Sequence, residues 1–229
     1  MAGLAQGENR WGEALDWAER GLRDFPDSAE MLLVLGSIEE TLGAQAALGL
    51  PPESLLAPTQ RETQANLGLL REARAHLKTA QRLLRSAVAV DPSLAEARLR
   101  LGRIAWRLGE TAEARSALEE VLAGKPKPAT AFLAYLFLGR LDEDAGRLAD
   151  ATRAYETALA FDTRSQSARI ALSHVFLRLG NAGAARSEME KAVGFAGRRP
   201  EPDAFWLYPW GPSVGAEERL EALRREASS

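Results

Sequence analysis

The side chains of this chain that could do chemistry are few, and their spacing suits little of it. His76 and His174 are the two histidines among 229 residues. They lie far apart, and neither is spaced from the other or from an acidic pair as metal ligands are. Asp142, Glu143 and Asp144 are consecutive. On a helix, consecutive side chains point in different directions, so this run reads as a solvated helix end and not as a metal site. Gly124 and Lys125 lack both the earlier glycine and the following Ser or Thr of a phosphate-binding loop, and no dinucleotide fingerprint or nucleophile elbow occurs. With no cysteine, disulfides, thiol catalysis and thiolate-held metals are excluded. The expectation is therefore no catalytic residue, no metal site and no cofactor.

What must position the remaining side chains is a repeat. Gly68, Gly102, Gly139 and Ser173 recur at intervals of about 34 residues, and so do Gly109, Gly146 and Gly180. Residues 95–126 show why. Leu101, Leu118 and Val121 are large and apolar and suit a seam between two helices. Gly102 and Ala114 are small and suit the closest approach of the backbones. Gly109 can take the left-handed conformation that ends the first helix, and Pro126 cannot continue the second.

This unit resembles the tetratricopeptide repeat (TPR), a helix–turn–helix of 34 residues. Tyr135, Leu138, Gly139, Gly146, Ala151, Tyr155 and Ala158 match the same pattern. So do Leu172, Ser173, Phe176, Gly180, Ala185, Met189 and Ala192. Thr163 and Gly197 stand where the family usually has proline. The resemblance implies an all-α, right-handed α-solenoid closed by a C-terminal capping helix. Its regular repeats are expected at residues 95–128, 132–165 and 166–199, within a solenoid spanning residues 1–199.

The flanks depart from the pattern. Residues 1–26 read as half a repeat, with Ala14, Ala18, Gly21 and Pro26 in the places of a second helix. Either its first helix lies upstream of Met1, or this helix is the N-terminal cap. Residues 28–92 read as an interrupted repeat. Its first helix starts after Ser28 as N-cap, and an insertion loop with three prolines is expected at residues 43–60. The interval from Gly68 to Gly102 suggests a hairpin over residues 61–90 with a turn near Ala75. The seven-residue spacing of Leu70, Leu77 and Leu84, and of Ala73, Ala80 and Ala87, suggests one helix instead, which we favour. Residues 200–229 hold four prolines (200, 202, 209 and 212) interleaved with Phe205, Trp206, Tyr208 and Trp210, then a short helix expected at about 215–227. This segment reads as a cap on the last repeat. Alternatively, it is an aromatic stretch that docks on a partner or curls into the groove.

Composition narrows the function. A net charge of −3 argues against a nucleic-acid binder that works by bulk charge. Only four of the 29 basic residues are lysines, the rest being arginines. The longest apolar stretch, residues 131–138, is too short to span a bilayer, and the N-terminus has no signal-peptide pattern. A cytoplasmic location is expected, or a periplasmic or envelope-associated one if a signal precedes Met1. In the family the first helix of each repeat lines a concave groove. Carried over, the resemblance puts Arg100, Arg103, Trp106, Arg107, Phe137, Arg140, His174 and Arg178 in that groove. Arginines beside aromatics suit carboxylates and extended peptide. The bland reading is that these arginines keep a surface soluble or pair with acids of the groove. The implied function is a non-enzymatic scaffold that takes a peptide or helix, acidic in character. The alternative is an accessory segment of a larger enzyme or of an envelope or secretion assembly.

Overall fold

The structure, a computed structural model, describes residues 15–48, 60–195, 203–209 and 225. Among them every regular element is an α-helix, and none is long and apolar enough to cross a membrane. Two compact units divide the chain: residues 1–100 with 209–229, and residues 101–208.

The first unit holds α1 (residues 15–24), α2 (Ala29–Leu48), α3 (Gln60–Val90) and the start of α4 (Ala95–Arg107). Ser28 precedes α2 as its cap, its hydroxyl accepting from the Met31 amide at 3.3 Å. Ala18 packs with Val34, Leu35 and Ile38, and Trp17, Leu42 and Leu83 close the cluster. α2 and α3 run antiparallel with their backbones close. A Cβ on Gly36 would lie 2.6 Å from the Leu84 Cγ, and one on Gly43 would lie 3.0 Å from the Ala73 carbonyl oxygen.

Residues 60–90 form one unbroken helix, as the seven-residue stripe suggests. Its buried positions are Ala73, Leu77, Ala80, Leu84 and Ala87. Residues 43–48, expected to open a loop, instead continue α2. Gly43 is there because α3 passes against it, and the Ala, Gln and Leu that follow are good helix formers. The rest of the expected insertion lies outside the described residues. Gly68 is not a seam glycine, since a Cβ there would meet nothing within 4 Å. Its interval to Gly102 is a coincidence, and the seam position of this repeat is Gly36.

The second unit holds the rest of α4, then α5 (Thr111–Ala123), α6 (Pro128–Asp144), α7 (Leu148–Phe161), α8 (Gln166–Arg178), α9 (Ala182–Phe195) and the single turn α10 (Ala204–Leu207). Its seams repeat one device. Gly102 faces Leu118, Gly139 faces the Tyr155 ring, and the Ser173 hydroxyl donates to the Ala185 carbonyl at 2.8 Å. Gly109, Gly146 and Gly180 have φ of +83°, +74° and +76°. After each, the next amide reaches back to the helix it leaves: Glu110 to Ala105 at 2.8 Å, Arg147 to Asp142 at 2.9 Å and Asn181 to Phe176 at 2.8 Å. This six-to-one closure satisfies carbonyls left over at the helix end, and it needs a residue that tolerates positive φ. Three identical turns bring α4, α6 and α8 to equivalent places in successive hairpins. The helix expected at about 215–227 lies, apart from Arg225, outside the described residues.

Candidate functional site

The closing turn of α6 fixes where three consecutive acids go. Asp142 accepts from the Arg147 Nε at 2.7 Å and also pairs with Arg115. Asp144 accepts from the Trp106 Nε1 at 2.8 Å and faces the Arg140 Nε at 3.4 Å. Glu143, only 1% exposed, turns inward between them. It accepts from the Tyr155 hydroxyl at 2.9 Å, pairs with the His174 Nδ1, and has the Arg178 and Arg140 guanidiniums at 3.5 and 3.7 Å. Arg178 also donates to the Glu143 carbonyl at 2.9 Å. The acids do point in different directions, as the spacing predicts. They are not a solvated end, however: Asp142 and Glu143 are buried, with partners that include Arg115 on α5 and Tyr155, His174 and Arg178 on α7 and α8.

Burial raises the Tyr155 phenol well above its ordinary value, and the nearby Glu143 carboxylate adds to the effect. A neutral hydroxyl donating to a buried carboxylate explains how Glu143 is held inside. The cations around it are more exposed: Arg140, His174 and Arg178 are 49, 56 and 38% accessible. Trp106, Arg140, His174 and Arg178 thus gather about Glu143 and Asp144. Two arginines face two carboxylates there, so the arginine positive charge is largely matched within the cluster. Among the described residues no set of three or more His, Asp or Glu could hold a metal ion.

A second cluster sits further toward the start of α6 and α8. The Arg103 guanidinium lies 4.9 Å from the centre of the Tyr208 ring and 5.7 Å from that of Phe137. Tyr208 meets Phe137 edge-on, with centroids 5.3 Å apart and planes at 80°. Tyr208 follows α10, and α10 packs on α6. At the other end of this turn, buried Asp203 caps α10 by accepting from the Phe205 amide at 3.0 Å. Its second oxygen accepts from the Ser165 hydroxyl at 2.6 Å, the Ser167 hydroxyl at 2.8 Å and the Ser167 amide at 3.0 Å. Ser165 is itself the N-cap of α8, accepting from the Ala168 amide at 3.1 Å. The first turn of α8 therefore holds a carboxylate where unpaired amides and the helix dipole favour one. Residues 203–208 thus run from the start of α8 across α6 to α4.

Of the side chains assigned to the groove, Arg103 and Phe137 meet at one cluster, and Trp106, Arg140, His174 and Arg178 meet at the other. Arg107 lies on α4, partly exposed. Arg100 is corrected: it is fully buried, donating to Glu40 at 2.8 Å and to Glu96 at 3.2 Å, and so is not offered to a ligand. Its position in the repeat faces the adjoining hairpin, where Glu40 needs a counter-charge. Asp203, Ser165 and Ser167 escaped the sequence reading. A Pro-Asp pair opening an aromatic run after a proline-rich stretch is an N-cap signal that could have marked Asp203.

Two models of the tetratricopeptide repeat match the sequence, one over residues 73–136 and the other over residues 136–202. No curated protein matches. Among solved structures, MamA is similar at 20% identity and a TM-score of 0.57, over 84% of this chain and 92% of that one. PilF of Pseudomonas aeruginosa is similar at 17% identity and 0.51, over 95% and 87% of the two chains. Cut9, from the APC/C hetero-tetramer Cut9–Hcn1, is similar at 18% identity and 0.52, over 93% of this chain and 41% of that one. At these identities the likeness is one of fold: an all-α TPR solenoid.

Proposed function

This chain belongs to the tetratricopeptide repeat family, and from that premise we propose that it is a non-enzymatic scaffold that takes a peptide or helix of a partner protein on the face formed by α4, α6 and α8. TPR arrays serve protein–protein interaction, which is the general role the repeats support. The observation that carries the finer reading is that residues 203–208, a short stretch of polypeptide, already lie on this face through side-chain contacts to all three helices. On α8, Ile170 and Leu177 are 45 and 57% exposed, and by helical spacing they share a face with His174 and Arg178, which adds apolar surface there. The acidic preference of the ligand rests on the first turn of α8 more than on Arg140 and Arg178, whose charge Glu143 and Asp144 already engage.

The test is reversal of charge on this face. Arg103→Glu with Arg140→Glu should reduce partner recovered from the source organism at least tenfold, while circular dichroism shows unchanged helical content. Undiminished recovery by a folded double variant would remove the groove assignment.

A further inference from the structure

We propose that residues 203–208 are a built-in occupant of the groove, and that the ligand it excludes is a partner peptide of the same chemistry: an acidic residue followed five positions later by an aromatic one, in a single helical turn. This rests on the groove reading above and specifies its partner.

The contacts at the two ends of the segment differ in kind and define the motif. At one end Asp203 is 1% exposed and its Oδ2 takes three donors, two of them from Ser167 and one from Ser165. Only a carboxylate, or a group like it, satisfies three donors at the start of α8 without adding a hydrogen of its own. At the other end Tyr208 is 5% exposed, edge-on to Phe137 and beneath the Arg103 guanidinium. A planar ring with a negative face is what an arginine over an aromatic selects. The single turn of α10 sets the distance between the two ends. The carboxylate is thus read by serines and a helix N-terminus, and arginine reads the ring. This reverses the simplest expectation for an arginine-lined groove.

Residues 203–208 leave Met189 and Val193 of α9 40 and 65% exposed and reach back to α6 and α4. Ser165 caps the Ala168 amide of α8 from within the groove helices, and Asp203 adds the cap on the Ser167 amide, the place a competing carboxylate would take. A tethered occupant acts at an effective concentration of order millimolar for a short linker, so a free peptide competes at a disadvantage until the segment is displaced.

A fluorescein-labelled synthetic peptide with the sequence of residues 200–211 provides the probe, with the full chain as receptor. By fluorescence anisotropy it should bind the Asp203→Ala, Tyr208→Ala double variant at least tenfold more tightly than the wild type. Peptides carrying either of the same two replacements should lose that binding, and adding Arg103→Ala to the released receptor should lower it at least fivefold. Equal affinity for wild type and released variant overturns the proposal, as does absence of binding by a released variant of unchanged helicity. Should that variant fail to fold, hydrogen exchange of the wild type decides. Saturating peptide should raise exchange at amides 205–208 and leave α6 protected, and no rise overturns the proposal. A wild-type dimer formed by swapped segments would overturn it too, by making a second copy the occupant. If the Arg103/Arg140 reversal abolishes capture but release of the segment does not increase it, this inference falls and the scaffold reading stands.

Discussion

Glu40 and Glu143 occupy the same place in two different hairpins. Each lies four residues after the small residue of its seam, Gly36 or Gly139, and each is 1% exposed. In the interrupted hairpin the counter-charge is Arg100, itself fully buried, so the pair is sealed. In the regular hairpin Glu143 is held by a tyrosine hydroxyl from its own seam and by cations that remain partly exposed. One carboxylate position therefore serves two ends. Sealed, it locks a hairpin. Left with open partners, it organises a surface that another molecule can reach.

Breaking the sealed pair should have the largest effect. Arg100→Ala strands the Glu40 carboxylate without its buried partner, which costs about 3–5 kcal/mol, measured as a lowered urea midpoint at unchanged slope. An equal cost for Arg178→Ala would erase the distinction between the two sites. Next comes the seam beneath Glu143. Gly139→Ala would push a methyl group into the Tyr155 ring, which is buried and hydrogen-bonded and cannot swing away. A loss of about 1–3 kcal/mol is expected in thermal unfolding.

Tyr155→Phe should cost about 1 kcal/mol near neutral pH through the lost hydrogen bond. It should also change the alkaline limb of stability. The folded-state phenol is raised above its unfolded value, chiefly by burial. Its contribution is therefore complete below pH about 10 and is lost as pH rises toward the folded value. The variant's stability should fall less steeply above pH 10, and parallel alkaline limbs for the two proteins would refute the assignment. The smallest effect belongs to Arg178→Ala. Its side chain is 38% exposed, so less than about 1 kcal/mol of stability is expected, with any loss appearing in partner capture.

Much of the fold is legible because its devices are local. The glycines at 109, 146 and 180 must sit at positive φ, and seams at Gly102, Gly139 and Ser173 demand small residues, so both leave a residue-type signature. Where a contact is long in sequence the signature fails. Gly68 falls on the interval yet touches nothing, because the partner of Leu84 is Gly36, and α3 had to be placed before that could be seen. The site is less legible than the fold for the same reason. The family register puts Arg100 on the groove, but Glu40 lies 60 residues away and its demand for a cation is invisible in the repeat. Asp142 and Glu143 look solvated beside Asp144, since adjacency in sequence hides that each faces a different helix. Asp203 is tied to serines 36 and 38 residues earlier, a pairing that no spacing rule announces.

α3 offers a consequence of another kind. Its stripe of buried residues begins at Ala73, while Leu67 and Leu70 in the stretch before it are 39 and 48% exposed. A helix as short as the stretch before Ala73 would be marginal in water by itself, where starting a turn is disfavoured by a factor of about 10⁻³. It exists because the seated half has already supplied the nucleus, leaving only elongation, which is close to thermally neutral per residue. The stretch of α3 before Ala73 should therefore shorten and lengthen one residue at a time as temperature changes. That graded melting would run alongside the all-or-none loss of the hairpin that anchors it.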